Sequence, residues 1–215
     1  MTALPTDGTP TAAEARPEGR RERRRRELRE RVLEVCRALF REHGFDGTTV
    51  EQIAEAADIA PATFFNHFQS KRGVLALMTN EVVVYVGALV EAHLQGGKPL
   101  GDQLVSLASD AGAQIAQNHR IAREVVLELV RTEARPEDPS PYLAEVHEPL
   151  RAALERAQAS GEVRSDLDAE FLSEMVIGAL NATVSHWLSD PNYPIGERLP
   201  RAASFVWDAV RSGRP

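Results

Sequence analysis

Cysteine is nearly absent from this sequence of 215 residues, in which Cys36 is the single example. A lone cysteine cannot form an internal disulfide, and it fits a reducing cytoplasm. No stretch approaches the roughly 20 apolar residues that a membrane span needs. The N-terminus is rich in proline, threonine, alanine and glycine and lacks the apolar segment of a signal peptide. These absences predict a soluble, cytoplasmic protein that does not enter a membrane.

Motifs of the common enzyme classes are also missing. The six histidines are scattered, and no two of them have the i,i+4 spacing of a zinc-binding helix. No glycine-rich phosphate loop, nucleophile elbow or pair of catalytic carboxylates emerges. Cys36 lies on an apolar stripe and is interpreted as a small core residue. The sequence therefore predicts no catalytic residue, no metal site and no cofactor.

Positive charge is scarce overall but is concentrated near the N-terminus. The net charge is −7, yet residues 1–72 carry 13 basic against 12 acidic residues, while the remainder carries 12 against 20. We therefore expect a polyanion to contact the N-terminal third and to be repelled by the rest. The six arginines within residues 20–26 alternate with glutamates at i,i+4-type spacing. A solvated helix extension and a direct contact with such a polyanion both remain open for them.

Apolar residues recur at three- and four-residue steps along most of the chain, and alternation with a period of two is nowhere sustained. This pattern predicts an all-α protein with about nine helices. Residues 1–19 cannot bury enough apolar surface to order themselves, so we expect a disordered arm there. The predicted helices include one from about Arg21 to Gly44 and later ones at about 100–118, 120–133, 141–161, 167–188 and from 195 or 199 to 212.

Two short helices joined by a tight turn are predicted between residues 48 and 68. Thr48 and Thr49 each open a capping box, and Pro61 suits the first position of the second helix. At about 12 Å long, that helix matches the width of a DNA major groove. Phe64 and Phe68, at i and i+4, are predicted to pack into a core. The pattern is typical of a helix-turn-helix.

The segment Gly44-Phe45-x-x-Thr48-Thr49-Val50-x-x-Ile53-Ala54-x-x-Ala57, followed by Thr63-Phe64-Phe65-Asn66-His67-Phe68-x-Ser70-Lys71, resembles the DNA-binding domain of the TetR family. The resemblance covers about residues 28–75 without gaps. Phe65 stands where the family usually has tyrosine. Ala60 stands where a capping serine is frequent, which removes about 1 kcal/mol of capping. The resemblance implies a DNA-binding domain at 20–71 and a helical ligand-binding and dimerisation domain at 72–215.

Contacts with double-stranded DNA are implied residue by residue. Thr48 or Thr49 at a helix N-terminus, His67 and Lys71 are expected to bind phosphates. Asn66 can pair with adenine, and apolar side chains suit thymine methyl groups. The complete expected set is Thr48, Thr49, Pro61, Ala62, Thr63, Phe65, Asn66, His67 and Lys71.

A homodimer on a palindromic operator is implied as well. Its interface would be formed by the helices at about 167–188 and 199–212. The same apolar stripes could instead close the core of the monomer, and this alternative stays open. The candidate interface residues are Phe171, Met175, Gly178, Ala179, Ala182, Trp187, Phe205, Val206 and Val210.

The helices at about 72–160 are expected to enclose a cavity for a small, largely apolar effector that releases the repressor from its operator. Its candidate residues are Met78, Val82, Val86, Gln114, Glu128, His147 and Asn181, with further apolar lining from Leu107, Ile115, Val125, Leu129 and Leu150. Two other functions stay open: a DNA-binding regulator that needs no ligand, and a helical protein-interaction module.

Overall fold

The computed structural model describes residues 19–95, 97–133, 141–190 and 192–213. Within these ranges the fold is all-α, as predicted, and it has nine helices. They are α1 (Arg20–His43), α2 (Val50–Ala56), α3 (Pro61–Phe68), α4 (Lys71–Leu94), α5 (Leu100–Gln117), α6 (His119–Glu133), α7 (Pro141–Ala159), α8 (Ala169–Ser189) and α9 (Ile195–Val210). The prediction of a disordered arm falls almost entirely outside the described residues.

Local signals set the ends of the first helices. Helix α1 ends at Gly44, whose positive φ of 76° suits glycine. Of the two predicted capping boxes, the one at Thr49 forms: its hydroxyl accepts from the Gln52 amide, and its own amide donates to the Gln52 side chain at 2.8 Å. The cap of α3 is Ala60, which provides no side-chain hydrogen bond.

Helices α1, α2 and α3 share one apolar core, called here the head core. Phe64 and Phe68 of α3 are buried in it against Val32, Cys36 and Phe40 of α1. Their predicted core position is confirmed. Because α3 is too short to be stable alone, these two rings hold it in place.

Helix α4 connects the head core to the rest of the molecule. Val74 and Met78 near its start are buried in the head core, whereas Val90 and Leu94 near its end belong to a larger core formed with α5, α7, α8 and α9. By length and composition α4 could cross a membrane, so the prediction that no segment approaches a membrane span is wrong. Serving two cores at its two ends explains why α4 is so apolar.

The larger part of the fold is held together by close packing of α5 on α9. A Cβ atom on Gly101 would come within 2.5 Å of the Trp207 ring, so only glycine permits this approach. A third, smaller core beside it contains Trp187, Ile195 and Leu199. The described residues thus form three apolar cores, and α3 belongs to the head core.

Candidate nucleic-acid interface

Helix α3 turns one face into the head core and the opposite face to solvent. Phe64 and Phe68 are buried, while Phe65 between them is 48% exposed. Pro61, Ala62, Asn66 and His67 are exposed too, and Thr63 is half-buried. The exposed face thus combines apolar surface with one carboxamide and one imidazole, which are groups that can contact base edges and phosphates.

The two threonines at the start of α2 differ in what they can offer. Thr49 is exposed at the helix N-terminus. Thr48 is 1% exposed, and its hydroxyl donates to the Gly44 carbonyl at 2.8 Å. The Thr48 hydroxyl therefore cannot reach a phosphate, which contradicts its expected role and leaves Thr49 as the alternative. The two boxes looked equivalent in the sequence because each satisfied the same local pattern.

Lys71 at the start of α4 binds the turn between α1 and α2. Its ammonium group donates to the carbonyls of Phe45 and, at 2.7 Å, of Thr48. The Nζ atom also lies 4.3 Å from the centre of the Phe45 ring, within cation–π range. An ammonium has three donors, so one remains for a phosphate. No local pattern in the sequence indicates this structural role, because the partners lie 23 and 26 residues away.

Helix α6 contacts the back of the head core. Arg120 donates to the Glu42 carbonyl at the end of α1 at 2.6 Å, and Ile121 packs on the head core. The buried carboxylate of Glu128 accepts from Arg131 at 2.6 Å and lies 3.9 Å from Arg72 of α4. Glu128, an expected ligand residue, therefore forms an ion pair within α6 and another that joins α6 to α4.

The other expected ligand residues do not share one cavity. Met78 lies in the head core and Val86 packs on the larger core. Val82, Gln114 and Asn181 are exposed. Among the further apolar residues, Leu107 packs on the larger core and Ile115 on the third, so these side chains fill cores.

Two cavities in the described part of the chain have charged linings. One of about 410 Å³ is lined by His147, Arg151 and several carboxylates of α7 and α8. The other, of about 320 Å³, is lined by residues that include Lys98, Arg156 and Glu162. Their linings differ from the apolar pocket expected from the sequence. No group of three His, Cys, Asp or Glu side chains among the described residues could hold a metal ion.

Helices α8 and α9 present an exposed apolar surface, called here the α8–α9 face. Phe171 and Met175 are 42% and 48% exposed, and Phe205 is 74% exposed. Gly178 and Ala182 are exposed beside them, while Ala179 is half-buried against the larger core. Trp187, Val206 and Val210 are buried within the subunit, so the prediction of an interface role for these three is wrong. They lie on the inner sides of the same helices.

Comparison with known families identifies this arrangement. Residues 32–78 match the model for bacterial regulatory proteins of the tetR family, and residues 97–203 match the model for the tetracyclin repressor-like C-terminal domain. Together the two matches cover more than two thirds of the chain. The chain belongs to the TetR family. The first match contains α2 and α3, and it begins within α1.

Curated TetR-family relatives include the transcriptional regulator TcmR of Streptomyces glaucescens. It is 35% identical over 100 residues, which are 46% of this chain and 44% of TcmR. The chain thus spans under half the length of that relative. The transcriptional repressor AcnR of Corynebacterium diphtheriae is 24% identical over 191 residues, which are 87% of this chain and 93% of AcnR.

Solved structures with the same fold include SmeT, the repressor of the Stenotrophomonas maltophilia multidrug efflux pump SmeDEF. Its TM-score is 0.66 at 20% identity, covering 86% of this chain and 90% of SmeT. The structure of SmeT in complex with triclosan likewise covers 86% of this chain. At this level of identity the likeness shows the fold alone.

Proposed function

We propose that this TetR-family chain is a sequence-specific transcriptional repressor that binds a palindromic DNA operator as a homodimer. The observation that carries the proposal is the exposed face of α3, which is held outward by the buried Phe64 and Phe68 rings. A helix of this length fits the major groove. Asn66 is assigned to adenine, Phe65 to thymine methyl groups, and His67, Thr49 and the third donor of Lys71 to phosphates.

The homodimer is assigned to the α8–α9 face. Its exposed phenylalanine and methionine side chains suit the buried centre of an interface, and Gly178 and Ala182 allow helices to approach closely. A single recognition helix reads few base pairs. Two copies related by a two-fold axis would contact two half-sites and match a palindrome. The protein would lie in the cytoplasm with its DNA and would catalyse no reaction.

Release by a small effector belongs to the same proposal, since SmeT is a repressor whose structure with triclosan is known. An effector acts only if it binds a dimer with one spacing of the two DNA-binding domains better than a dimer with the other spacing. A regulator that needs no ligand is the second candidate. It is favoured by the apolar side chains that fill the cores and by the charged linings of the two cavities. Operator release during a screen of chemically diverse compounds would separate the two.

The test is fluorescence anisotropy of the purified protein with DNA from upstream of its own gene and with random DNA, over a salt series. We expect tight binding to one palindromic segment and a steep negative dependence of log affinity on log salt.

Asn66→Ala should relax base choice at one position and cost about 1–3 kcal/mol there. Asn80→Ala, the same change on an exposed part of α4, should bind like wild type. No preference at any salt, followed by failure of a genome-wide fragment selection, would overturn the proposal.

A further inference from the structure

Helix α1 extends well beyond the head core. It begins at Arg20, but its first buried residue is Val32. Residues 20–27 are all exposed, so about 12 Å of helix, at 1.5 Å per residue, projects from the core. The match to the tetR-family model also begins at residue 32. The projecting segment therefore lies outside the part of the chain that the family model matches.

The projecting segment has one face of arginines that lack ionic partners. The buried stripe of α1 runs through Phe40, Cys36 and Leu33, at steps of four and three residues. Continued toward the N-terminus with helical periodicity, it passes through Arg29, Arg25 and Arg21. These three side chains are exposed and form no ion pair with any residue that the structure describes. We call them the arginine ridge.

Two arginines on other faces of the segment are paired with glutamates. Arg23 pairs with Glu27 at 3.1 Å, and Arg26 pairs with Glu30 at 3.8 Å. Within the ridge, by contrast, like charges follow one another at i,i+4, which destabilises a helix. Positive charges near a helix N-terminus are also unfavourable, because the helix dipole is positive there. The ridge therefore bears an electrostatic cost that an anionic partner would remove.

The direction of the ridge identifies that partner. The stripe that it continues faces Ile53 of α2 and Phe64 of α3 in the head core. The ridge accordingly points to the side of α1 where the helix-turn-helix packs, but past its edge. We propose that Arg21, Arg25 and Arg29 bind backbone phosphates of the DNA that flanks the half-site contacted by α3. This inference rests on the proposed function and extends the contacted DNA beyond the palindrome.

The test compares two triple variants of the full chain. Arg21→Gln/Arg25→Gln/Arg29→Gln removes the ridge, and Arg20→Gln/Arg24→Gln/Arg31→Gln removes the same charge from a neighbouring face of α1. Glutamine keeps helix propensity close to that of arginine, and circular dichroism checks the helix content. Each protein is titrated against its operator in two duplexes, one ending at the palindrome and one with about ten further base pairs on each side.

On the long duplex we expect the ridge variant to bind at least about tenfold more weakly at ~0.15 M salt, with a salt slope smaller by about two to three units, because each phosphate contact contributes about 0.9. The variant with Arg20, Arg24 and Arg31 replaced should stay near wild type, and all three proteins should bind the short duplex alike. Base preference should not change, since phosphates carry no sequence information.

Equal weakening by both triple variants would overturn the proposal, because it would indicate a general effect of net charge. So would an unchanged ridge variant on the long duplex while the wild type binds its operator tightly. Absence of any operator preference in the wild-type chain is a different result. It refutes the proposed function and with it the flanking contact.

Discussion

Cys36 lies at the centre of the head core with no exposed surface. Burial raises the pKa of its thiol to about 12, because the thiolate would lose its hydration there. The thiolate is the reactive form of cysteine. The side chain is therefore an inert core group in the folded protein, in line with the prediction from its stripe position.

Stability should consequently fall in alkaline solution. An unfolded cysteine releases its proton near pH 8.5, whereas folded Cys36 keeps its proton up to about pH 12. Above about pH 8.5 the unfolded state binds fewer protons than the folded state, so the free energy of unfolding decreases by up to about 1.4 kcal/mol per pH unit. Urea unfolding at pH 7.5, 9 and 10 measures this decrease in the free energy of unfolding. Cys36→Ala should be less stable at neutral pH but should show a flatter decline; parallel curves would contradict the assignment.

Lys71, which is half-buried, has a structural role beside its proposed contact with a phosphate. Replacement by methionine keeps the aliphatic chain but removes the hydrogen bonds to the Phe45 and Thr48 carbonyls. Hydrogen bonds of charged groups contribute about 1.5–3 kcal/mol, and the half-buried site lowers this, so we expect Lys71→Met to reduce the free energy of unfolding by about 1–2 kcal/mol. Lys98→Met, at an exposed lysine, should change it little. Equal stability of the two variants in denaturant titrations would show that Lys71 does not hold the turn.

Among the elements, α3 is short and begins without a side-chain cap. Ala60 occupies the N-cap position in extended backbone, with φ −70° and ψ 145°. A serine there could accept a hydrogen bond from an amide in the first turn. The recognition helix is thus held almost entirely by its two buried phenylalanines.

Ala60→Ser should therefore stabilise the protein, by about 1 kcal/mol. Thermal and urea unfolding would measure the gain. The matched variant Ala56→Ser places serine in the last turn of α2 and should be slightly destabilising, because serine is a poorer helix former than alanine. If both variants shifted stability in the same direction, the missing cap would not be the cause.

The elements were largely predictable because their signals are local. The cap at Thr49, the helix end at Gly44, the first-turn Pro61 and the spacing of Phe64 and Phe68 each involve residues within one or two turns. The site was less predictable where partners are remote. Lys71 bonds to a turn 23 or more residues earlier, and Glu128 pairs with Arg72 across two helices. Periodicity could mark Val206 and Trp187 as apolar but could not tell a subunit core from an interface.

At the scale of the whole molecule, the α8–α9 face is an apolar surface that exposes Phe171, Met175 and Phe205 to solvent. Phe205 has the highest exposure among the large hydrophobic residues there. Burial of such a side chain in a second copy would contribute about 1.5–3 kcal/mol. In a two-fold interface both copies bury this side chain, so the contribution is made twice.

Phe205→Glu should therefore convert the proposed dimer into a monomer, as measured by light scattering after size exclusion or by sedimentation. Operator affinity should fall with it, because each head would bind its half-site alone. Val84→Glu is the matched control, since Val84 is 65% exposed on α4, away from this face. A Phe205→Glu protein that remained dimeric would place the interface elsewhere.

The contact of α6 with the head core affects whether DNA-binding domains can be exchanged between regulators of this family. Ile121 comes from α6, yet it packs on the same core as α3. A DNA-binding segment cut out at the end of α4 would expose the patch that Ile121 covers and lose the bond from Arg120 to Glu42. A chimera that joins helices α1 to α4 of this chain to the C-terminal domain of another regulator would thus require an apolar side chain at the start of the helix that corresponds to α6. Compatibility at that one position would limit which chimeras fold.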